Sequence, residues 1–186
     1  MPLERVSHLH VEGNVNLHSV SGVLNAGAHH VHNPVSRRWP TSPPALHPDR
    51  PSENMGGFFQ PVPHLRPIEG GVYAGKLLRI RGRVNFSGGR FEINLQNGPQ
   101  TVPQADAALH VSVRPTEGFI ALNSLRNNNW ESETRHGASM HPGQPYEILI
   151  LCDHDHFKVS NTVREVEYST FHRQAERRDA RHSNLS

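Results

Sequence analysis

Between Lys76 and Phe86 the chain reads KLLRIRGRVNF, and its side chains divide strictly by parity. Leu78, Ile80 and Val84 alternate with Arg79, Arg81 and Arg83. A helix would scatter both sets around its circumference, whereas a strand sends each to its own side. The device recurs. RFEINLQNG sets Phe91, Ile93 and Leu95 against Glu92 and Asn94, with glycines near both ends. AALHVSVR, GFIALNS, PYEILILCD and HFKVS follow at strand length with turn signals between them, and no helical stretch intervenes. Short alternating strands at this spacing predict an all-β protein folded as a two-sheet antiparallel sandwich.

The rest of the chain follows a different code. In residues 1–20, RVSHLHVEG places Val6, Leu9 and Val11 before a turn at Gly13-Asn14. NVNLHSV then alternates Val15 and Leu17, with a slip before Val20. Residues 21–57 are rich in Pro, His, Ser and Arg without any period, which predicts a flexible linker, with Trp39 an incidental exposed residue. The apolar-poor tail, 174–186, is expected to be disordered. With 15 glycines and 15 prolines among 186 residues, the composition too predicts a loop-rich sandwich of ordinary domain size.

Several function classes lose support at this stage. The formal net charge is only +2 and no run of five or six like charges occurs, so nucleic acid and membrane surfaces are poor partners. Met1 is followed by PLERVSHLHVEGN, without the apolar core of a signal peptide, and no segment has the length of a membrane span. Synthesis in the cytosol is expected, with export by a route needing no signal peptide left open. Cys152, the single cysteine, closes the apolar run YEILILC and is expected to be a small buried hydrophobe. DHDHF (153–157) and HHVH (29–32) carry metal-capable residues but no fixed second set of ligands, so no metal or other cofactor is expected.

One face does suggest chemistry. In ALHVSVR, Leu109, Val111 and Val113 point to a core, while His110, Ser112 and Arg114 line the opposite side about 7 Å apart by strand rise. GFIALN turns Ala121 and Asn123 to that same side. In WESETR, Glu133 and Arg135 share a parity that Trp130 lacks, so a bulge or bend is needed between Trp130 and Glu133. Such a surface suits a neutral polyol: hydroxyls both donate and accept, and the C–H face of a sugar can lie on an indole. A solvated outer face with a surface Arg135–Glu133 pair, contributing about 0–1 kcal/mol, is the plain alternative.

These residues, His110-x-Ser112-x-Arg114, then Asn123, then Trp130-x-x-Glu133-x-Arg135, resemble the H-x-N-x-R, N, W-x-x-E-x-R signature of the galectin carbohydrate-recognition domain. The flanking GKLLRIRGRVNFSGGRFEINLQNG and ADAALHVSVRP are similar to the family as well, and the resemblance spans residues 58–173. It implies a jelly-roll-like, concanavalin-like sandwich that binds β-galactoside glycans and glycoproteins without metal and without catalysis. It further implies that His110 and Arg114 hold the axial 4-hydroxyl of galactose. Asn123 and Glu133 would hold the 6-hydroxyl, Trp130 would stack beneath the ring, and Arg135 with Glu133 would reach the neighbouring sugar. A weak homodimer is left open.

This chain departs from the family pattern at three places. Ser112 stands where the family has Asn, which would remove about 0.5–1.5 kcal/mol if a hydrogen bond is lost. The loop PTEG after Arg114 is shorter than usual, and Glu131 replaces the usual Gly after Trp130. A galectin-related chain that has lost sugar binding and works through protein contacts is therefore the second reading. An enzyme is a third, because Glu131 and Glu133 form a close carboxylate pair, placed on one strand face; the Arg135 beside Glu133 argues against it as a general acid. The strands that close the family's domain are missing after YSTFHRQ, and residues 1–20 resemble them instead. That segment is either a remnant of a preceding domain in a tandem-repeat galectin or a permuted piece of this one. Exposed sheet edges favour the second.

Overall fold

The computed structural model describes residues 3–23, 59–161 and 164–168. Trp39, the HHVH run and the 174–186 tail lie outside the described residues. A short 3-10 turn, Leu3–Arg5, precedes the strands β1 (His8–Gly13), β2 (Val15–Val23), β3 (His64–Pro67), β4 (Leu77–Val84), β5 (Phe91–Gln96) and β6 (Ala107–Arg114). Then come β7 (Phe119–Arg126), β8 (Asn129–Trp130), β9 (Thr134–Gly137), β10 (Pro145–Cys152), β11 (Phe157–Asn161) and β12 (Arg164–Tyr168). The fold is all-β, with two antiparallel sheets. The first, of seven strands, runs β3-β1-β5-β6-β7-β8, with β9 also on β7; the second, of five, runs β12-β11-β10-β4-β2.

Parity sorts the side chains as alternation requires. From the first sheet Leu9, Val11, Phe91, Ile93, Leu95, Leu109, Val111, Val113, Ile120 and Leu122 enter the core. The second sheet supplies Val15, Leu17, Leu78, Ile80, Val84, Ile148, Ile150, Phe157 and Val159. Cys152 is among them, and burial pushes its thiol up to about 12, so it is a packed thiol rather than a reactive one.

The N-terminal strands are split between the sheets. β1 lies between β3 and β5, in register with β5 from His8↔Gln96 to Gly13↔Phe91. β2 pairs with β4 at the edge of the other sheet, with an irregularity between Leu17 and Ser19 where the sequence slips. Gly13, at φ 95°, makes the crossing possible. A Cβ there would stand 2.7 Å from the Arg90 carbonyl oxygen. Leu9, Val11, Val15 and Leu17 are all buried, and burial of each stabilises the sandwich by about 1.5–3 kcal/mol. β2 continues to Val23, so residues 21–23, read from sequence as the start of a linker, are strand. Gly22 and Val23 still have β4 partners, Leu78 and Leu77, and that pairing outweighs their lack of apolar alternation.

Candidate functional site

The site is built on the outer face of the seven-stranded sheet. Register places His10, Asn94, His110 and Asn123 in one row across β1, β5, β6 and β7. The next row is Glu12, Glu92, Ser112, Ala121 and Arg135, across β1, β5, β6, β7 and β9.

Two turns aim the remaining side chains. β6 and β7 are joined through Pro115-Thr116-Glu117-Gly118, with Gly118 at φ 74°, so that Arg114 pairs with Phe119. β7 and β8 are joined through Asn127 and Asn128, both at positive φ (48° and 60°) as a two-residue hairpin requires. Asparagine tolerates that conformation better than most residues. The turn puts Trp130 opposite Leu125 and leaves its indole half-exposed. The Glu131 N–H still donates to the Ser124 carbonyl at 3.0 Å; the chain then leaves β7 and rejoins it at Thr134↔Leu122. This is the break that the parity of Trp130 against Glu133 and Arg135 demands.

The side chains form one connected system. Asn94 Oδ1 lies 2.6 Å from His110 Nδ1, which puts the ring proton on Nδ1 and leaves Nε2 as an acceptor in the neutral ring. Desolvation holds the His110 pKa below its usual value; the Glu92 carboxylate opposes this, and Arg90 and Arg114 reinforce it. The rings of His110 and Trp130 sit 4.7 Å apart at 59°. Glu133 lies between two arginines, accepting from Arg135 Nε at 2.6 Å and from Arg114 at 3.3 Å. The Arg135 hydrogen bond, with help from the Arg114 charge, holds its carboxyl below the usual range. Arg114 also donates to Ser112 Oγ at 3.4 Å and lies 3.8 Å from Glu117. Both guanidinium groups lie over the Phe119 ring, at 5.0 and 4.9 Å from its centroid. The Asn123 carbonyl accepts from the Ser124 N–H at 2.8 Å, leaving the amide nitrogen to donate outward.

All seven residues singled out from sequence thus gather on one face: His110, Ser112, Arg114, Asn123, Trp130, Glu133 and Arg135. The carboxylate pair expected on one strand face is not found there. Glu131 and Glu133 fall in the gap between β8 and β9 and turn to different partners, Glu131 to Arg126 at 3.9 Å and Glu133 to the arginines. The cause is the break after Trp130, which ends the strand parity they would need to share. The DHDHF run is a turn in which His156 approaches Asp153 and Asp155. Among the described residues no group of three or more His, Cys, Asp or Glu is arranged to hold a metal ion.

Sequence reasoning overlooked Asn94, Glu92, Arg90 and Phe119. Asn94 and Glu92 were visible as the polar parity of β5 but had no evident partner until register set them beside His110 and Ser112. Arg90 precedes β5 and could be found only through its ion pair with Glu92.

The model of the galactoside-binding lectin family matches residues 63–184, well over half of the chain. Galectin-4 of Sus scrofa is 32% identical over 166 residues, covering 86% of this chain and 50% of the relative. Galectin-7 of Rattus norvegicus is 36% identical over 110 residues, covering 59% of this chain and 78% of the relative. The crystal structure of chicken galectin 2 aligns at 29% identity and a TM-score of 0.45, over 52% of this chain and 72% of that one. The chain spans about half the length of the galectin-4 relatives it matches. With the sequence signature gathered on one sheet face and the family model spanning most of the sandwich, this chain belongs to the galactoside-binding lectins, the galectins.

Proposed function

We propose that this chain binds β-galactoside glycans on the outer face of its seven-stranded sheet, by hydrogen bonding and stacking, without metal and without chemistry on the sugar. The observation that carries the reading is Glu133 held between Arg114 and Arg135 while the Trp130 indole beside His110 stays open. An ionised carboxylate so fixed accepts from hydroxyls at no further ordering cost, and the arginines keep donors for the same ligand. The neutral His110 Nε2 can accept one hydroxyl proton, and Asn123 can donate to another oxygen. The indole covers the apolar face of the ring. The roles of His110, Ser112, Arg114, Asn123, Trp130, Glu133 and Arg135 in sugar contact are part of this proposal. Retention of the intact chain on lactosyl-agarose with elution by free lactose is the expected result. Passage of folded chain straight through favours instead a sugar-silent member that works through protein contacts, for which the short Ser112 side chain is the motive.

We further infer that residues 1–20 belong to this recognition domain and are not a remnant of another. The pairing of β1 with both β3 and β5 supports it. After proteolytic cleavage between residues 24 and 58, gel filtration is expected to recover the N-terminal peptide with the rest. Its loss from a domain that stays folded contradicts the inference.

A further inference from the structure

The two sheets do not close completely on each other. Where the inner faces of β1 and β2 meet the connection from β3 to β4, a cavity of about 350 Å³ remains, walled by Leu9, Val20, Ile68 and Leu78. Alternation explains the gap. Val20 and Gly22 face inward across from Ile80 and Leu78, so β2 has two inward positions here and fills only one with a side chain. A Cβ on Gly22 would meet Lys76 Cε at 3.6 Å and nothing nearer among the described residues.

The polar part of the lining is cationic. Lys76 is 6% exposed, and its ammonium donates to the carbonyl oxygens of Glu69 and, at 2.7 Å, Gly71. Those two bonds leave one of its three N–H donors unused, and it makes no ion pair among the described residues. A charge so deeply buried is ordinarily paired, because desolvation penalises it. Arg66 of β3 also lines the cavity; its Nη1 donates to the Val20 carbonyl at 3.2 Å, and it too makes no ion pair among the described residues. Glu69 is the one acid in the lining. It is exposed, and it reaches Lys76 through its backbone carbonyl rather than its carboxylate.

We propose that this cavity is a second binding site, for a small monocarboxylic acid with an apolar chain, of the size of octanoate. The carboxylate accepts from the remaining Lys76 N–H and from Arg66, and so supplies the counter-ion that the chain does not. The apolar chain lies in the space that Gly22 leaves beside Leu9 and Leu78. The volume is near the low end of the about 300–1,000 Å³ of ligand pockets, which suits a short acid better than a long one. Leu9 points to the opposite side of β1 from His10, so the site lies away from the galactoside face and does not rest on that reading.

The test is calorimetric titration of the intact chain with octanoate and with 1-octanol, a neutral control that leaves water more readily. Octanoate is expected to bind saturably and at least tenfold more tightly than the alcohol. Lys76→Met, which keeps the stem and removes the charge, should weaken octanoate at least tenfold and the alcohol little. Gly22→Leu, which fills the cavity without touching a charge, should abolish octanoate binding while the thermal melt stays cooperative; it carries the test if Lys76→Met fails to fold. No octanoate binding by the folded chain overturns the proposal. So does alcohol binding as tight as that of the acid, an equal loss of both in folded Lys76→Met, or octanoate binding that survives in folded Gly22→Leu.

Discussion

The two sheets carry polar residues on their outer faces by the same period-two code, yet the faces differ in kind. On the five-stranded sheet, Arg79 and Arg81 of β4 reach across to Glu147 of β10 at 3.6 and 3.7 Å, each of the three side chains about a third exposed. Those distances are long and solvent screens them, so each pair is worth about 0–1 kcal/mol. On the seven-stranded sheet the polar side chains sink into the face. Asn94 and Ser112 are 0% exposed and His110 5%, and they are joined to one another or to Arg114 by hydrogen bonds. A solvated face needs no order among its charges. A face that can hold a ligand buries polar groups and leaves apolar surface, here the Trp130 indole, open beside them. The pattern of charge alone could not have told the two apart.

The contrast can be tested by mutating each face in turn. Trp130→Ala should weaken lactose binding about 30–100-fold, or about 2–3 kcal/mol, the loss of an aromatic anchor, while leaving the melting temperature nearly unchanged because the indole is half-exposed. A calorimetric titration beside a thermal melt separates the two effects. Ser112→Asn, measured the same way, should strengthen lactose a few-fold, about 0.5–1 kcal/mol, the worth of one added hydrogen bond. A loss on that substitution would mean that the serine is fitted to a different ligand.

Acid acts on the outer face of the seven-stranded sheet through His110. Burial sets its folded pKa below the unfolded value, so the unfolded chain takes up its proton first as pH falls. Its contribution to stability is therefore present at neutral pH and declines from about pH 6.5, its unfolded pKa, downward. Protonation of the folded chain also removes the Nε2 acceptor, so lactose affinity should decline only as pH falls through the lowered folded pKa of His110. In denaturant titrations from pH 7 to 5, His110→Gln should flatten the slope; an unchanged slope assigns it to other groups. The Glu133 contribution has a lower window, present above its unfolded pKa and lost as pH falls through the depressed folded one. The smallest effect is expected on the other face. Arg81→Ala should leave lactose affinity unchanged and shift stability by no more than about 0.5 kcal/mol. A clear loss of binding would mean that the two faces are not independent.

Legibility followed the same division. Where a strand has one apolar face, as in β4 to β7, parity alone assigned core and surface side by side, and Leu109, Val111 and Val113 went inward as expected. The slip in β2 was visible as a break in alternation, and it appears as the irregularity between Leu17 and Ser19. Parity also required a break after Trp130, but its shape depends on backbone conformation: the positive-φ Asn127-Asn128 turn and the gap in pairing that precedes Thr134. The partners of β5 were beyond sequence reasoning for another reason. Strand order and register bring Asn94 to His110 and Glu92 to Ser112, and a single sequence states neither. Arg90 was least visible of all, since it lies outside any strand and joins the site only through its ion pair.

The most direct test of the central claim is to follow the indole N–H resonance of Trp130 during titration with lactose, using Trp39→Phe to assign the two tryptophan signals. The prediction is a saturable shift of the Trp130 signal with lactose and little or none with cellobiose, whose 4-hydroxyl points the other way. A Trp130 resonance that lactose leaves unmoved in the folded chain, or that both disaccharides move alike, would contradict a galactoside site on this face.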